Sequence, residues 1–304
     1  VSTLAFAPPG TSPAIHGGLL PGRAPTVRAA TRADAAAWDA YVLAHPEGTV
    51  FHRWPWHDIL ESSFGHRCHY LLVESDGAVR GILPLAEVRS RLFGHCLVSL
   101  PFCPYAGPLA SDPAALAALT ARAEALTRAG GAAHLEYRGL QARGNAWPVQ
   151  DLYVTFRKPI SGDHDANLKA IPRKQRAMVR KGIANGLVAR TGELDTFFRL
   201  YADNVHRHGT PGQSIRFFER IRDAFGTDCE VLTVHTAGGE PVSGVVSLMF
   251  RDEVLPLFAG DTTSARDLAA NDFKYWQVMQ RAADRGCRTF DFGRSKRGTG
   301  PWHF

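Results

Sequence analysis

The stretch Asn271–Phe304, NDFKYWQVMQRAADRGCRTFDFGRSKRGTGPWHF, decides how the rest of the chain is read. It divides into an amphipathic helix from Asp272 to Arg285 stopped at Gly286, an apolar strand Arg288–Phe292, and a basic, glycine-rich loop. Asp291, Gly293, Arg294, Ser295 and Lys296 crowd one strand end, more polar function than packing requires. A strand that brings a carboxylate and then a cationic loop to its carboxyl end suits a site for an anionic substrate.

The same helix-to-strand passage occurs earlier in the chain. RAGGAAHLEYRG resembles DRGCRTFDFGR and sets Glu136 against Asp291, while VESDGAVRGILPL resembles VHTAGGEPVSGVVSL and sets Gly81 against Gly244. The two offsets agree to within a short insertion, and two matches in one order argue for duplication. Each half reads as helix, helix, hairpin, strand, helix, strand. In the first these are Thr31–Ala44, Trp54–Phe64, His69–Glu74 with Val79–Val88 across an Asp76-Gly77 turn, Cys96–Leu100, Pro113–Ala129 and Ala133–Tyr137. In the second they are Glu193–His206, Ser214–Phe225, Glu230–Thr236 with Val242–Phe250, Val254–Ala259, Asp272–Arg285 and Arg288–Phe292. That order predicts two similar α/β units, each on a mostly antiparallel mixed sheet flanked by helices.

The 304 residues therefore divide into a Pro/Gly/Ala-rich leader at 1–26, expected to be mobile, a first unit at 27–150 and a second at 151–304. The leader lacks the basic start and long apolar run of a signal peptide. No apolar run approaches the roughly 20 residues of a membrane span. A net charge of +6 favours anionic partners and leaves peripheral association with a membrane open. The five cysteines are scattered without a C-x-x-C pair. They read as reduced thiols of a cytoplasmic protein, and no cluster suggests a metal.

Between the halves, NLKAIPRKQRAMVRKGIANG predicts a basic helix over 172–185. Arg173, Lys174, Arg176, Arg180 and Lys181 fall on one side, opposite Leu168, Ile171, Met178, Val179 and Ile183. A solvated basic face is the plain reading; the absence of any acidic residue from Leu168 to Thr191 argues for an anionic ligand.

These residues carry a family resemblance. IPRKQRAMVRKG, NVHRHGTP followed by SIRFFERI, the NDFKYWQVMQRAADRGCRTFDFGRSKRGTG block and LVSLPFCPYAG together resemble the FemAB family, nearest its branch associated with PEP-CTERM and exosortase exopolysaccharide loci. The resemblance covers roughly Asp34 to Phe304. It implies two tandem GNAT-like domains and transfer of an acyl or aminoacyl group to an amine, with no metal and no tightly bound cofactor. The donor it implies is acyl-CoA or aminoacyl-tRNA, and the acceptor an amine on a cell-envelope or exopolysaccharide precursor. The family pattern continues beyond Phe304, so a last strand is expected to be missing. One departure concerns CoA. The diphosphate loop R/Q-x-x-G-x-G/A of CoA-binding GNAT enzymes has no counterpart in GDTTSARDLAAND, which shifts weight to aminoacyl-tRNA or another carrier.

Catalytic roles are expected of Asp291, Arg294 and Lys274. Asp291 would take a proton from the attacking amine, orient it, or organise the Arg294–Ser295 loop; a strand-end Asx turn is the plain alternative. Arg294 or Lys274, with backbone N–H groups at a strand splay, would stabilise the oxyanion. Substrate binding is expected of Arg173, Lys174, Arg176, Arg180, His206, Arg207, Asn271, Tyr275, Gly293, Ser295 and Lys296. Gly298 and Gly300 would let backbone approach a phosphate clamped by Arg294, Lys296 and Arg297. Asn271 is alternatively a helix N-cap, Tyr275 core, and His206-Arg207-His208 a dipole complement. His52, Trp54, Trp56, His57 and Tyr105 read mainly as packing. The kinase-like Asp291-Phe292-Gly293 lacks its companion motifs, and GRSKRGTG has Thr299 where a phosphate-binding loop needs Lys. An RNA-binding module or a polysaccharide-assembly scaffold without catalysis is the competing expectation.

Overall fold

The computed structural model describes residues 26–75, 77–90, 92, 94–140 and 147–299. The expected leader up to residue 25, Asp76 of the expected turn, Gly300 and the terminal PWHF lie outside the described residues. The first unit runs β1 (Thr26–Ala29), α1 (Ala35–Ala44), α2 (Pro55–Phe64), β2 (Arg67–Cys68), β3 (Leu71–Ser75), β4 (Ala78–Leu83), β5 (Ala86–Ser90), β6 (Gly94–Ser99), β7 (Leu109–Ala110), α3 (Pro113–Gly130) and β8 (His134–Tyr137). Its strands form two sheets, β1-β3-β4-β7 and β2-β5-β6-β8. The single strand expected over Val79–Val88 is two, β4 and β5. Pro84 stands between them, has no N–H for the ladder, and marks the passage from one sheet to the other. α3 is bounded as its sequence dictates: Asp112 accepts a hydrogen bond from the Ala115 amide, and Pro113 occupies the first turn.

The second unit contains β9 (Tyr153–Pro159), α4 (His164–Lys169), α5 (Arg173–Ala184), β10 (Val188–Thr191), α6 (Leu194–Arg207), α7 (Ile215–Phe225), β11 (Cys229–His235), β12 (Pro241–Phe250), β13 (Glu253–Asp261), α8 (Ala265–Leu268), α9 (Ala270–Asp284) and β14 (Thr289–Lys296). Its sheet has the order β10-β11-β12-β13-β14-β9. Among the described residues the strand pairings are antiparallel except β6 with β8 and β13 with β14, each of which brackets a long helix. The order of elements thus repeats between the units, as the sequence predicts.

Packing explains the helices. α6 buries Phe197, Leu200 and Tyr201, and α7 buries Phe217, Phe218, Ile221 and Phe225, spacings that lay one face on the sheet. Each such side chain contributes about 2 kcal/mol through burial. At Gly260 the α6 backbone around Tyr201 lies directly on β13, where no Cβ fits. The largest core cluster draws on both units, joining Trp38, Phe51, Trp56 and Tyr105 to Phe197, Phe217, Phe225 and Leu255. Arg251 adds a polar staple across the junction. Its guanidinium donates to the carbonyls of Val42 (2.8 Å), Leu43 (2.7 Å) and His45 (2.6 Å), closing the end of α1.

Two sequence expectations change. The run after Asp291 is not a loop: β14 continues to Lys296 because β9, which the sequence reading did not recognise, supplies it a partner edge. In α5 the seam with α9 passes through Gly182 and Val179, so Ile183 points outward and is 51 % exposed.

Candidate active site

β13 and β14 run side by side for two residues only, Glu253 opposite Thr289 and Val254 opposite Phe290. Two features then part them. Pro256 has no N–H to offer a neighbouring strand. β14 bulges between Asp291 and Arg294, with Gly293 at φ 70°, while its other edge stays paired with β9 on both sides of the bulge. The strands open onto a cavity of about 650 Å³ between the two units. Residues 255–258 and 292–295 and Tyr275 line one side; Val98, Phe102, Cys103, Glu136 and Arg138 of the first unit line the other.

Asp291 does not face this cavity. It is fully buried, and its carboxylate accepts from Tyr105 Oη, Arg157 Nε (2.9 Å), Thr155 Oγ1 (2.8 Å) and the Gly293 amide (2.7 Å). Four donors occupy the lone pairs a proton acceptor would need free. Of the expected roles, the geometry favours organising the turn: the Gly293 contact is an Asx-type bond that shapes the bulge. Because Tyr105 belongs to the first unit, Asp291 also ties the units together. Tyr105 is correspondingly hard to ionise, its pKa raised by burial and then by the adjacent Asp291 charge. Arg157 reaches on to Glu253 (3.0 Å), whose pKa is raised to about 7 by burial and Asp291 against the pull of Arg157.

Arg294 is the expected residue that does reach the cavity with a usable group. Its guanidinium lies 4.1 Å from the centre of the Tyr153 ring and makes no hydrogen bond or ion pair among the described residues. Burial and then the charge of Arg138 lower its pKa below the usual arginine value, against the opposing pull of Tyr153 and Glu136. Ser295, nearly buried, and Gly293 and Tyr275 also line the cavity, whereas Lys296 is exposed beyond it.

The remaining expected residues gather elsewhere, around the start of α9. Lys274 is fully buried and bonded to Asp261 (2.8 Å), so it does not reach the cavity; burial lowers its pKa and Asp261 opposes this. Arg207 donates to the Asp261 carbonyl and to Asn204 Oδ1 (3.2 Å), and His206 is exposed beside it. Asn271 is not the N-cap; Ala269, at φ 59°, holds that place. α5 packs over this helix start, with Gly182 against Phe273 and Asn185 Nδ2 donating to the Leu268 carbonyl (3.1 Å). Ala269 and Ala270 are buried beneath it, so the start of α9 is partly covered by α5. Arg173, Lys174 and Arg180 point to solvent, and Arg176 donates to the Lys169 carbonyl (2.8 Å). Tyr275 joins the regions, lying in the cavity lining and 5.5 Å below the Lys274 ammonium.

Sequence reasoning missed Glu136 and Arg138 as cavity residues, and Arg157 and Thr155 as partners of Asp291. The internal match had already set Glu136 at the position of Asp291, and Pro256 inside an apolar strand signals the splay. Among the described residues no group of His, Cys, Asp or Glu could hold a metal.

This architecture is a tandem GNAT fold. Residues 167–302 match the family described as "Acetyltransferase (GNAT) domain". Over 135 residues the chain is 24 % identical to the UDP-N-acetylmuramoylpentapeptide-lysine N(6)-alanyltransferase of Weissella viridescens, a match spanning 43 % of this chain and 40 % of that enzyme's length. The crystal structure of FemX superposes with a TM-score of 0.67 at 18 % identity, covering 90 % of each chain. A tandem GNAT protein from the clavulanic acid biosynthesis pathway gives 0.55 at 12 % identity over 91 % of each.

Proposed function

We propose that the protein is an acyltransferase that moves an acyl or aminoacyl group from an activated ester or thioester to an amine on a cell-envelope or exopolysaccharide precursor. One observation carries the reading: the parting of β13 from β14 opens on a cavity that holds an arginine stacked on Tyr153 with no hydrogen bond or ion pair among the described residues. The amine, once it has lost a proton to solvent, attacks the carbonyl carbon, and the resulting oxyanion needs fixed donors. Its collapse breaks the C–O or C–S bond to the carrier, which leaves as an alcohol or thiol carrying a proton. The nitrogen gives up its remaining extra proton to solvent as the amide forms. The edge of β13 left unpaired by β14 supplies backbone N–H groups for it, and Arg294 supplies charge. The partly covered start of α9 favours a donor other than CoA held in the usual GNAT manner. Aminoacyl-tRNA fits best, with the exposed cations of α5 receiving its phosphates. The likeness to the UDP-N-acetylmuramoylpentapeptide-lysine N(6)-alanyltransferase supports transfer of an aminoacyl group to an amine. The sequence resemblance to the PEP-CTERM and exosortase branch supports an exopolysaccharide acceptor. Reaction in the cytoplasm suits such donors. No helix among the described residues is long and apolar enough to cross a membrane.

The test supplies acyl-CoA, acyl-carrier protein and aminoacyl-tRNA, each radiolabelled in the acyl group, with amine acceptors, and follows amide product. Labelled amide from one donor class is the expected result. A donor present at about 100 times its dissociation constant should also stabilise the protein by about 2.7 kcal/mol. The exposed α5 cations favour a second reading, an RNA-binding protein without chemistry. Equal binding of charged and uncharged tRNA, falling steeply with salt and accompanied by no turnover, would select it.

A further inference from the structure

Positions 136 and 291 stand at equivalent places in the duplicated strand order, yet their carboxylates have opposite surroundings. Asp291 is fully buried and saturated with donors. The Glu136 side chain is 40 % exposed and lines the cavity. Its Oε1 accepts from Arg138 Nε at 2.7 Å, and its Oε2 has no hydrogen-bond partner among the described residues. Arg138 is itself fixed, donating to the carbonyls of Leu100 (3.2 Å) and Cys103 (3.4 Å), so Glu136 is aimed while one oxygen is kept open. Arg294 lines the same cavity, near enough to feel the charges of both Glu136 and Arg138. A cavity that offers a carboxylate oxygen and a guanidinium edge with no hydrogen-bond partner among the described residues, walled by Phe102, Phe258 and Phe292, is complementary to a molecule carrying both signs of charge.

We propose that Glu136 receives the ammonium of the acceptor, and that the acceptor carries an anionic group which binds Arg294. The acceptor is then an amine with a phosphate or carboxylate close by, not a neutral amino sugar. This rests on the acyltransferase reading for the word acceptor, but not for the binding itself.

Glucosamine 6-phosphate, N-acetylglucosamine 6-phosphate and glucosamine serve as probes, titrated calorimetrically into the full chain at a pH that keeps the amine protonated. The wild-type protein should prefer glucosamine 6-phosphate to each of the others by roughly tenfold or more, the size of one charge-assisted hydrogen bond. Glu136→Gln should erase the preference for the free amine while leaving N-acetylglucosamine 6-phosphate binding unchanged. Arg294→Gln should weaken both phosphates and keep the amine preference. Glu136→Asp, which retains the charge, should keep part of that preference and shows whether the glutamine variant lost a contact or its fold. An amine preference that survives Glu136→Gln, or a wild-type protein that binds the two phosphates equally or not at all, would overturn the proposal. The titrations contain no donor. Amine selectivity lost in Glu136→Gln without any turnover would keep the receptor and remove the reaction, and turnover with selectivity intact in that variant would do the reverse.

Discussion

The two units repeat one order of elements but treat their central parallel strand pair differently. In the first, β6 and β8 stay paired from Cys96 opposite His134 through Ser99 opposite Tyr137. The join is then extended by Ser99 Oγ, which accepts from the Arg138 amide at 2.8 Å. In the second, β13 and β14 separate after two residues, where Pro256 and the Gly293 bulge intervene. A closed pair offers only side chains to a ligand, whereas an open one offers backbone donors as well. The closed pair contributes Glu136 and Arg138 as side chains to a cavity whose opening belongs to the other unit. The two units thus differ at equivalent places: one opens the sheet, and the other faces the opening with charged side chains.

The carboxylates at positions 136 and 291 give the sharpest way to break this comparison. Asp291→Ala leaves Arg157 without its buried anion and Tyr105 without an acceptor, and should destabilise the protein by about 3 kcal/mol. Glu136→Ala removes a half-exposed ion pair and should cost about 1 kcal/mol or less. Urea midpoints of the two variants check this, and equal losses would dissolve the distinction. Arg294→Ala comes next. Its guanidinium makes no hydrogen bond or ion pair among the described residues and only stacks on the Tyr153 ring, so stability read from the midpoint should fall by no more than about 1 kcal/mol. Turnover in the amide assay should meanwhile fall roughly 10- to 100-fold, the loss of one charge-assisted contact in the transition state.

How much of this was legible in the sequence depends on what each residue signals locally. Element order and its repetition were readable, because helix periodicity and glycine stops are local features, as at Gly65, Gly131 and Gly286. The place of Arg294 at an irregular strand end was readable too, since Gly293 before it signals a break in regular pairing. The fate of Asp291 was not. Its burial is set by Tyr105 and Arg157, which lie 186 and 134 residues away in sequence, and no local pattern announces such partners. Lys274 misled for a related reason. A lysine near a helix start reads as available, but Asp261 and the packing around it remove it from solvent. β9 is hard to read because Tyr153, Thr155 and Arg157 alternate with Val154 and Lys158, only partly buried, and Phe156, which is exposed, so neither side forms a clean apolar face.

A smaller effect sharpens the account of the splay. Gly293→Ala has room for its methyl, the nearest atom being the Pro256 carbonyl oxygen 4.0 Å away, but it places alanine at φ 70°. That conformation costs a non-glycine residue about 1 kcal/mol. The variant should therefore lose stability by that amount, read from its urea midpoint, with a further fall in turnover if the bulge relaxes and turns Arg294.

The last test concerns the seam behind the cavity, where Glu253 faces Arg157, Asp291 and Asp252. Burial and Asp291 raise its pKa to about 7 from an ordinary carboxyl value near 4.5. Between those two values the folded protein binds more protons at this site than the unfolded chain does. The slope of stability with pH is proportional to protons bound unfolded minus folded, so it is negative there. Glu253 should accordingly favour the fold most at the acid end of that window and give up this contribution as pH rises to about 7, beyond which its effect levels. Arg157 opposes the shift and the site is partly solvated, so the change should be on the order of 1 kcal/mol or less. Urea midpoints collected across that range for the wild-type protein and Glu253→Gln check it. The difference between them should shrink at acid pH and grow toward neutrality, since glutamine mimics the protonated carboxyl that the fold prefers. A difference that does not vary with pH would mean that Glu253 ionises at its ordinary value, and that Arg157 neutralises both carboxylates of the seam rather than Asp291 foremost.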